Sequence, residues 1–168
     1  MELKKRFKNL ITLIAPRHID RVNEIKTICN KLNLNSQILD ENDLILDGKE
    51  VIIINSFGNL NTFFKLSKSV FIGKSMNPKL KNQGGQNPID AANLSCRIYH
   101  GPYVNNFKEI YEILKENKIA EEVRTFIELA NKLKLDLSIE SKDNENFLKI
   151  MNNLKEKTLN KTMKQINN

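Results

Sequence analysis

Residues 81–90, KNQGGQNPID, set two adjacent glycines, Gly84 and Gly85, ahead of Asn87, Pro88 and Asp90. Paired glycines permit a tight turn and let a ligand approach the main chain closely. Asn87 suits a helix N-cap, Pro88 the first helical position and Asp90 the third. A capped helix start explains these residues in full. The same geometry also turns amide donors and the positive end of a helix dipole outward, where anions bind. Both readings stand on the residues alone. Just upstream, FIGKS at 71–75 resembles the end of a phosphate-binding loop. Such a loop needs a glycine five positions before the glycine of GK[ST], so that main-chain amides can wrap the phosphates. Lys68 stands there instead, and Met76, Asn77 and Pro78 follow where a helix should begin. A P-loop NTPase is therefore excluded. No GxGxxG follows the first apolar run, so the dinucleotide fingerprint is missing too.

Pro16, Arg17 and His18 follow that first run. A guanidinium there can hold a phosphate through two parallel bonds. The plainer reading is a surface arginine beside a capping histidine. The histidines are His18 and His100, and no Ser-His-Asp or HExxH arrangement can be assembled, so neither a hydrolytic nor a metal centre is expected. Cys29 and Cys96 lie far apart and outside any CxxC, which argues against a zinc site or a redox pair. Buried thiols in a reducing compartment are the simpler reading.

These residues need elements to hold them. Apolar runs at 9–15, 36–39, 49–55, 69–73, 96–99 and 119–123 read as strands. Amphipathic stretches at 20–32, 58–67, 88–94 and 106–117 read as helices. Strands alternating with helices over short loops predict an α/β fold: a Rossmann-like parallel sheet with helices on both faces. Ligands gather beyond the carboxyl ends of such strands. The turns 16–18, 55–58, 73–75 and 100–102 are therefore expected along one rim. Residues 141–168 form a charged segment of helical pattern, with Phe147, Ile150, Met151 and Leu154 on one stripe. It packs on the domain or reaches toward a partner domain. The expected organisation is one domain over 1–168 that ends in this helical segment.

The chain has 168 residues, 40% of them hydrophobic, which suits one domain with a real core. Its formal charge is +7. Lysines are spread along the chain rather than clustered, which disfavours nucleic acid and leaves phosphorylated substrates or an anionic membrane surface. No apolar run is long enough to cross a bilayer. The amino terminus has a basic start and a short apolar run, but LITLIA is too brief for a leader peptide and PRH replaces a cleavage site. It is read as the first strand.

Five stretches taken in order are more specific than any one alone: LIAPRHIDR (13–21), INSFGNL (54–60), FIGKS (71–75), GGQNPIDAA (84–92) and GPYVNNF (101–107). Together they resemble the carboxyl-terminal half of the 3-deoxy-D-manno-octulosonic acid (Kdo) transferases. These are GT-B glycosyltransferases that move Kdo from CMP-Kdo onto lipid A precursors. The resemblance runs over residues 9–123. It implies that Pro16 and Arg17 hold the CMP portion of the donor, with Arg17 toward the phosphate. It implies that Phe57, Gly58 and Asn59 open a helix, where backbone amides meet the phosphate and neighbouring atoms meet the cytosine. Asn87 and Asp90 match an Asn and an acidic residue, the latter directed at ribose hydroxyls. No cofactor or metal is implied beyond the donor substrate CMP-Kdo. The catalytic base would lie in an amino-terminal domain absent from this chain, so this half alone is expected to be inactive. The implied partners are a CMP-sugar, a lipid A precursor reached through that missing domain, and a membrane surface, but no nucleic acid. The implied place is the cytoplasmic face of the bacterial inner membrane, with this fragment itself soluble. Departures bear on donor binding. The family pattern Asp-Thr/Ser-x-Gly-Glu-Leu reads Asn55-Ser56-Phe57-Gly58-Asn59-Leu60 here, its turn His is Gln86, and its Glu is Asp90. A GT-B domain using a UDP or GDP sugar, and a non-catalytic nucleotide-binding remnant, are the alternatives.

Overall fold

A strand buried on both faces must be apolar at every position, and a parallel neighbour must reach it through a crossover. The computed structural model follows that rule in each of two units, Met1–Phe63 and Phe64–Asn168, and describes residues 2–58, 60–82, 84–139 and 149–153.

The first unit runs α1 (Glu2–Arg6), β1 (Thr12–Ile14), a 3₁₀ turn (Ile19–Arg21), α2 (Val22–Lys31), β2 (Ser36–Leu39) and β3 (Val51–Ile54), then enters α3 (Leu60–Leu66). The sheet order is β1-β3-β2, all parallel. β3 is central, and its four residues are all buried. Val51 and Ile53 pack with Val22 and Cys29 of α2, while Ile52 and Ile54 occupy the alternate face of the strand. Each such side chain contributes about 1.5–3 kcal/mol when fully buried. α2 ends at Lys31; beyond its cap Leu32, Asn33 takes the left-handed conformation at φ 53°, and Leu34 N–H donates back to Cys29 O at 2.9 Å. That is the usual way a helix stops and satisfies its last carbonyls.

The second unit runs β4 (Ser69–Ile72), α4 (Ile89–Asn93), β5 (Arg97–His100), α5 (Lys108–Glu116), β6 (Ala120–Glu122) and α6 (Phe126–Ser138). Its sheet order is β4-β5-β6, again all parallel. Successive residues of β5 face opposite ways. Ile98 packs with Ala91 and Ala92 of α4 and with Tyr111 and Leu114 of α5. Tyr99 packs with Leu129 and Leu133 of α6. Helices therefore cover both faces of this sheet. Residues 149–153 are helical, with Met151 buried and Ile150 packed on the first of these clusters. The rest of the 141–168 segment, including Phe147 and Leu154, lies outside the described residues.

The fold is the expected Rossmann-like α/β type, with all six anticipated strands present and parallel. They are hydrogen-bonded as two three-stranded sheets, so each unit has its own carboxyl edge. Two helices were not anticipated, α1 and α6. α6 is held by polar contacts as well as packing. The Asp136 carboxylate accepts from Ser69 Oγ at 2.6 Å and from Tyr99 OH at 2.9 Å. Burial pushes the Tyr99 phenol up, and the neighbouring Asp136 adds to this, so the hydroxyl stays protonated and donates.

Candidate functional site

In the first unit, three strand ends meet at one edge. Ile14 pairs with Ile53 and Leu39 with Ile54 in parallel register, so β1, β2 and β3 all finish on the same side. Pro16 is half-buried beyond β1, and Arg17 is exposed beside it. Beyond β3, Asn55 and Ser56 are half-buried and Phe57 is 70% exposed. Gly58 has φ +88°, and a Cβ built there would touch nothing. Its glycine is required by backbone conformation, not by crowding. The turn beyond β2 completes the edge: Asp40 N–H donates to Asp43 Oδ2 at 3.1 Å, and Asn55 Nδ2 donates to Asp40 Oδ1 at 2.6 Å. An open hollow of about 680 Å³ lies here, lined by Asp40, Asp43, Asn55, Ser56, Phe57 and Ile19 among others. It offers acceptors from carboxylates and an exposed aromatic ring, with a guanidinium on the adjacent strand end.

In the second unit, Ile72 pairs with His100, so β4 and β5 finish together. The GKS stretch is absorbed into the fold there. Ser75 is fully buried; its Oγ donates to Ile72 O at 2.6 Å and accepts from Gly101 N–H at 2.8 Å. It stitches two strand ends together instead of facing a phosphate. The glycine turn packs against the segment beyond β5. A Cβ on Gly84 would overlap the Tyr103 carbonyl oxygen, so this glycine is demanded by close approach of the chain to itself. Tyr111 OH donates to Gln86 O at 2.8 Å, and Asn105 Nδ2 donates to Lys81 O at 2.8 Å. Asn87 Oδ1 accepts from Ile89 N–H at 3.0 Å, and Ala92 N–H donates to Pro88 O at 3.0 Å. α4 begins at Ile89 with buried Pro88 as its N-cap, one position later than expected, and the Asn87 side chain satisfies the Ile89 N–H from the residue before it. Asn87 and Asp90 are both exposed.

His100 is only 3% exposed. Its Nδ1–H donates to Gly101 O at 2.7 Å, and its ring lies 4.4 Å from the Tyr111 ring. Burial holds its pKa below the ordinary value of 6.5, so the imidazole is neutral. Nε2 is then a buried acceptor without a hydrogen-bond partner.

The structure brings Pro16, Arg17, Phe57 and Gly58 to one edge of the first unit. It sets Asn87 and Asp90 at the start of α4 in the second. Asn59 lies outside the described residues. Sequence reasoning passed over the 40–43 turn and Tyr111, because neither carries a motif: each matters only through a partner distant in sequence. Among the described residues no group of His, Cys, Asp and Glu is arranged to hold a metal ion. Among them, too, no helix is long and apolar enough to cross a membrane.

Parallel three-stranded sheets with helices around them and glycine turns at their carboxyl edges define a Rossmann-like α/β protein. Relatives narrow the class. The chain is 31% identical over 136 residues to the 3-deoxy-D-manno-octulosonic acid transferase of Rickettsia felis, covering 81% of this chain and 28% of that protein. It is 28% identical over 169 residues to the enzyme of the same name from Rickettsia prowazekii, covering 98% of this chain and 36% of that protein. The chain thus spans about a third of the length of these relatives. In fold it matches the crystal structure of the C-terminal CMP-Kdo binding domain of WaaA from Acinetobacter baumannii, with a TM-score of 0.73, 23% identity, and coverage of 90% of this chain and 79% of that one. No protein-family model matches the chain. The resemblance to Kdo transferases is thereby upheld: this chain is a relative of part of those glycosyltransferases.

Proposed function

We propose that this chain is the donor-nucleotide half of a GT-B Kdo transferase and binds CMP-Kdo. The observation that carries the reading is the shared edge of β1 and β3. There Arg17 and the Phe57–Gly58 turn leave adjacent strands in a chain related to Kdo transferases. Arg17 pairs with the donor phosphate. A planar guanidinium suits that charge, and such charge-assisted bonds contribute roughly 1.5–3 kcal/mol. Pro16 fixes the chain ahead of it. Phe57 offers a ring to the cytosine, and the turn at Gly58 offers its main-chain amide. In the second unit, exposed Asp90 beside Asn87 is the acidic residue that the resemblance directs at ribose hydroxyls, one methylene shorter than the family's Glu.

In the intact enzyme a carboxylate of the amino-terminal domain takes the proton of the acceptor hydroxyl. The hydroxyl oxygen attacks the anomeric carbon of Kdo, and the bond to the CMP phosphate oxygen breaks. CMP leaves with the bonding pair, and Arg17 stabilises the charge it carries away. The acceptor is a lipid A precursor at the cytoplasmic face of the inner membrane, a surface whose anionic lipids suit the +7 charge. No cofactor enters the reaction.

Calorimetry with CMP, UDP and GDP tests the reading. CMP is expected to bind with saturation, and UDP and GDP at least tenfold more weakly; equal binding of all three, or preference for UDP or GDP, points to another sugar nucleotide. Asn55 and Asn59, standing where the family has acids, favour a second reading: a nucleotide-binding remnant without catalytic partners. Changing Asn59→Glu separates the two. A gain in CMP affinity supports the transferase half, and no gain supports the remnant.

A further inference from the structure

Asn55 is the first residue beyond β3, and it makes two bonds to the neighbouring strand end. Its N–H donates to Leu39 O at 2.9 Å, the last rung between β2 and β3. Its side-chain Nδ2 then donates to Asp40 Oδ1 at 2.6 Å, adding a rung where the strands have already ended. Asp40 is itself fixed. Its N–H donates to Asp43 Oδ2 at 3.1 Å, and Asp43 N–H donates to Asp40 O at 3.2 Å. One turn is therefore closed on itself, and one carboxamide ties the next turn to it. Phe57 and Gly58 follow Asn55 by two and three residues.

We propose that the Asn55–Asp40 bond is the positioning device of the donor edge: it sets where the Phe57–Gly58 turn stands relative to the 40–43 turn. The word donor rests on the reading given under Proposed function; the positioning does not. The chemistry is specific to an amide facing an acid. Asn has two N–H donors, whereas an ionised Asp has none. An acid at position 55 would set two carboxylates at hydrogen-bond distance, where both cannot stay ionised without cost. The repulsion would drive the turns apart at neutral pH. It would relax as the pair takes up one proton. Exchanging the two residues puts a donor and an acceptor back across the same gap, with the same charge as the wild type.

The test compares wild type, Asn55→Asp and the exchanged variant Asn55→Asp with Asp40→Asn. Two readouts are used: CMP affinity by calorimetry at neutral and mildly acidic pH, and the amide resonances of Phe57 and Gly58. Asn55→Asp is expected to weaken CMP binding about fivefold or more at neutral pH, the scale of a lost charge-assisted bond. Relative to wild type at the same pH, its affinity recovers as the pH falls, and the exchanged variant returns to within about twofold of wild type. The Phe57 and Gly58 amides shift in the single variant and return in the exchanged one. Equal or tighter CMP binding by Asn55→Asp overturns the proposal, as does an exchanged variant no better than the single one. If wild type itself fails to bind CMP, the donor reading falls. The amide shifts still decide the positioning: unmoved Phe57 and Gly58 amides in Asn55→Asp reject it.

Discussion

His100 shows how a single buried group couples this fold to pH. Its folded-state pKa lies below the ordinary 6.5 because burial disfavours the imidazolium. The unfolded chain takes up a proton near that value, while the folded chain resists until the pH is lower. Stability is therefore fully present above about pH 6.5 and falls as the pH drops toward the folded-state pKa. Urea midpoints measured at pH 8 and pH 5.5 should show this loss in wild type, and a smaller loss in His100→Gln. Equal pH dependence in the two proteins would assign the effect to other groups. At Arg17 the expectation concerns binding. Arg17→Ala should weaken CMP about tenfold or more, in line with the loss of a charged hydrogen-bonding partner, with little change in melting temperature because the side chain is exposed. Arg17→Lys should recover only part of that affinity, since an ammonium cannot form the two-pronged contact.

At the scale of elements, the strands were the most legible part of the sequence. VIII at 51–54 is apolar at every position and buried at every position, and SQIL at 36–39 fell at the same residues as β2. Hydrophobic runs report burial directly, so they survive translation into structure. α6 was passed over although TFIE at 125–128 is a readable helix start. Thr125 Oγ1 accepts from Glu128 N–H at 3.1 Å, and Glu128 Oε2 accepts from Arg124 N–H at 2.8 Å. Leu129, Leu133 and Leu137 recur every fourth residue on its inward side, but Leu133, Leu135 and Leu137 also alternate in a strand-like way, and exposed Phe126, Ile127 and Leu135 blur the stripe. Its anchor is polar and distant in sequence: Asp136 against Ser69 and Tyr99. Asp136→Ala should leave both hydroxyls without that acceptor and cost roughly 1–3 kcal/mol. Chemical denaturation would read this as a lower midpoint with an unchanged slope. The glycine turn teaches a related lesson. Gly84 and Gly85 were legible as a turn, and the helix start after it was placed one residue early, but the demand on Gly84 comes from Tyr103, which no local pattern reveals. Gly84→Ala should disrupt the turn, and a lower melting temperature with faster exchange of the Ile89 amide, which Asn87 holds, would report it.

For the molecule as a whole, the resemblance carried what periodicity could not. Alternating strands and helices specify an α/β fold, but many chemistries share that fold. Five ordered stretches, later matched by relatives over most of the chain, point to one of them. The grouping of strands into two sheets was not legible, because hydrophobic runs carry no record of which neighbour they pair with. The chain spans about a third of its relatives' length, so turnover is expected to need more than this chain holds. Kdo transfer assays with the 168-residue protein should give no product above a no-enzyme control, while product would place a base within it. The central claim is narrower and can be met directly: the edge bearing Arg17 and Gly58 receives cytidine monophosphate. Amide resonances followed during a CMP titration would test it. Saturating shifts at Arg17, Phe57 and Gly58 are the predicted result, with those of Phe57 and Gly58 needing about tenfold more CMP in Arg17→Ala. Shifts absent from those residues, or confined to α2 and α6, would contradict it.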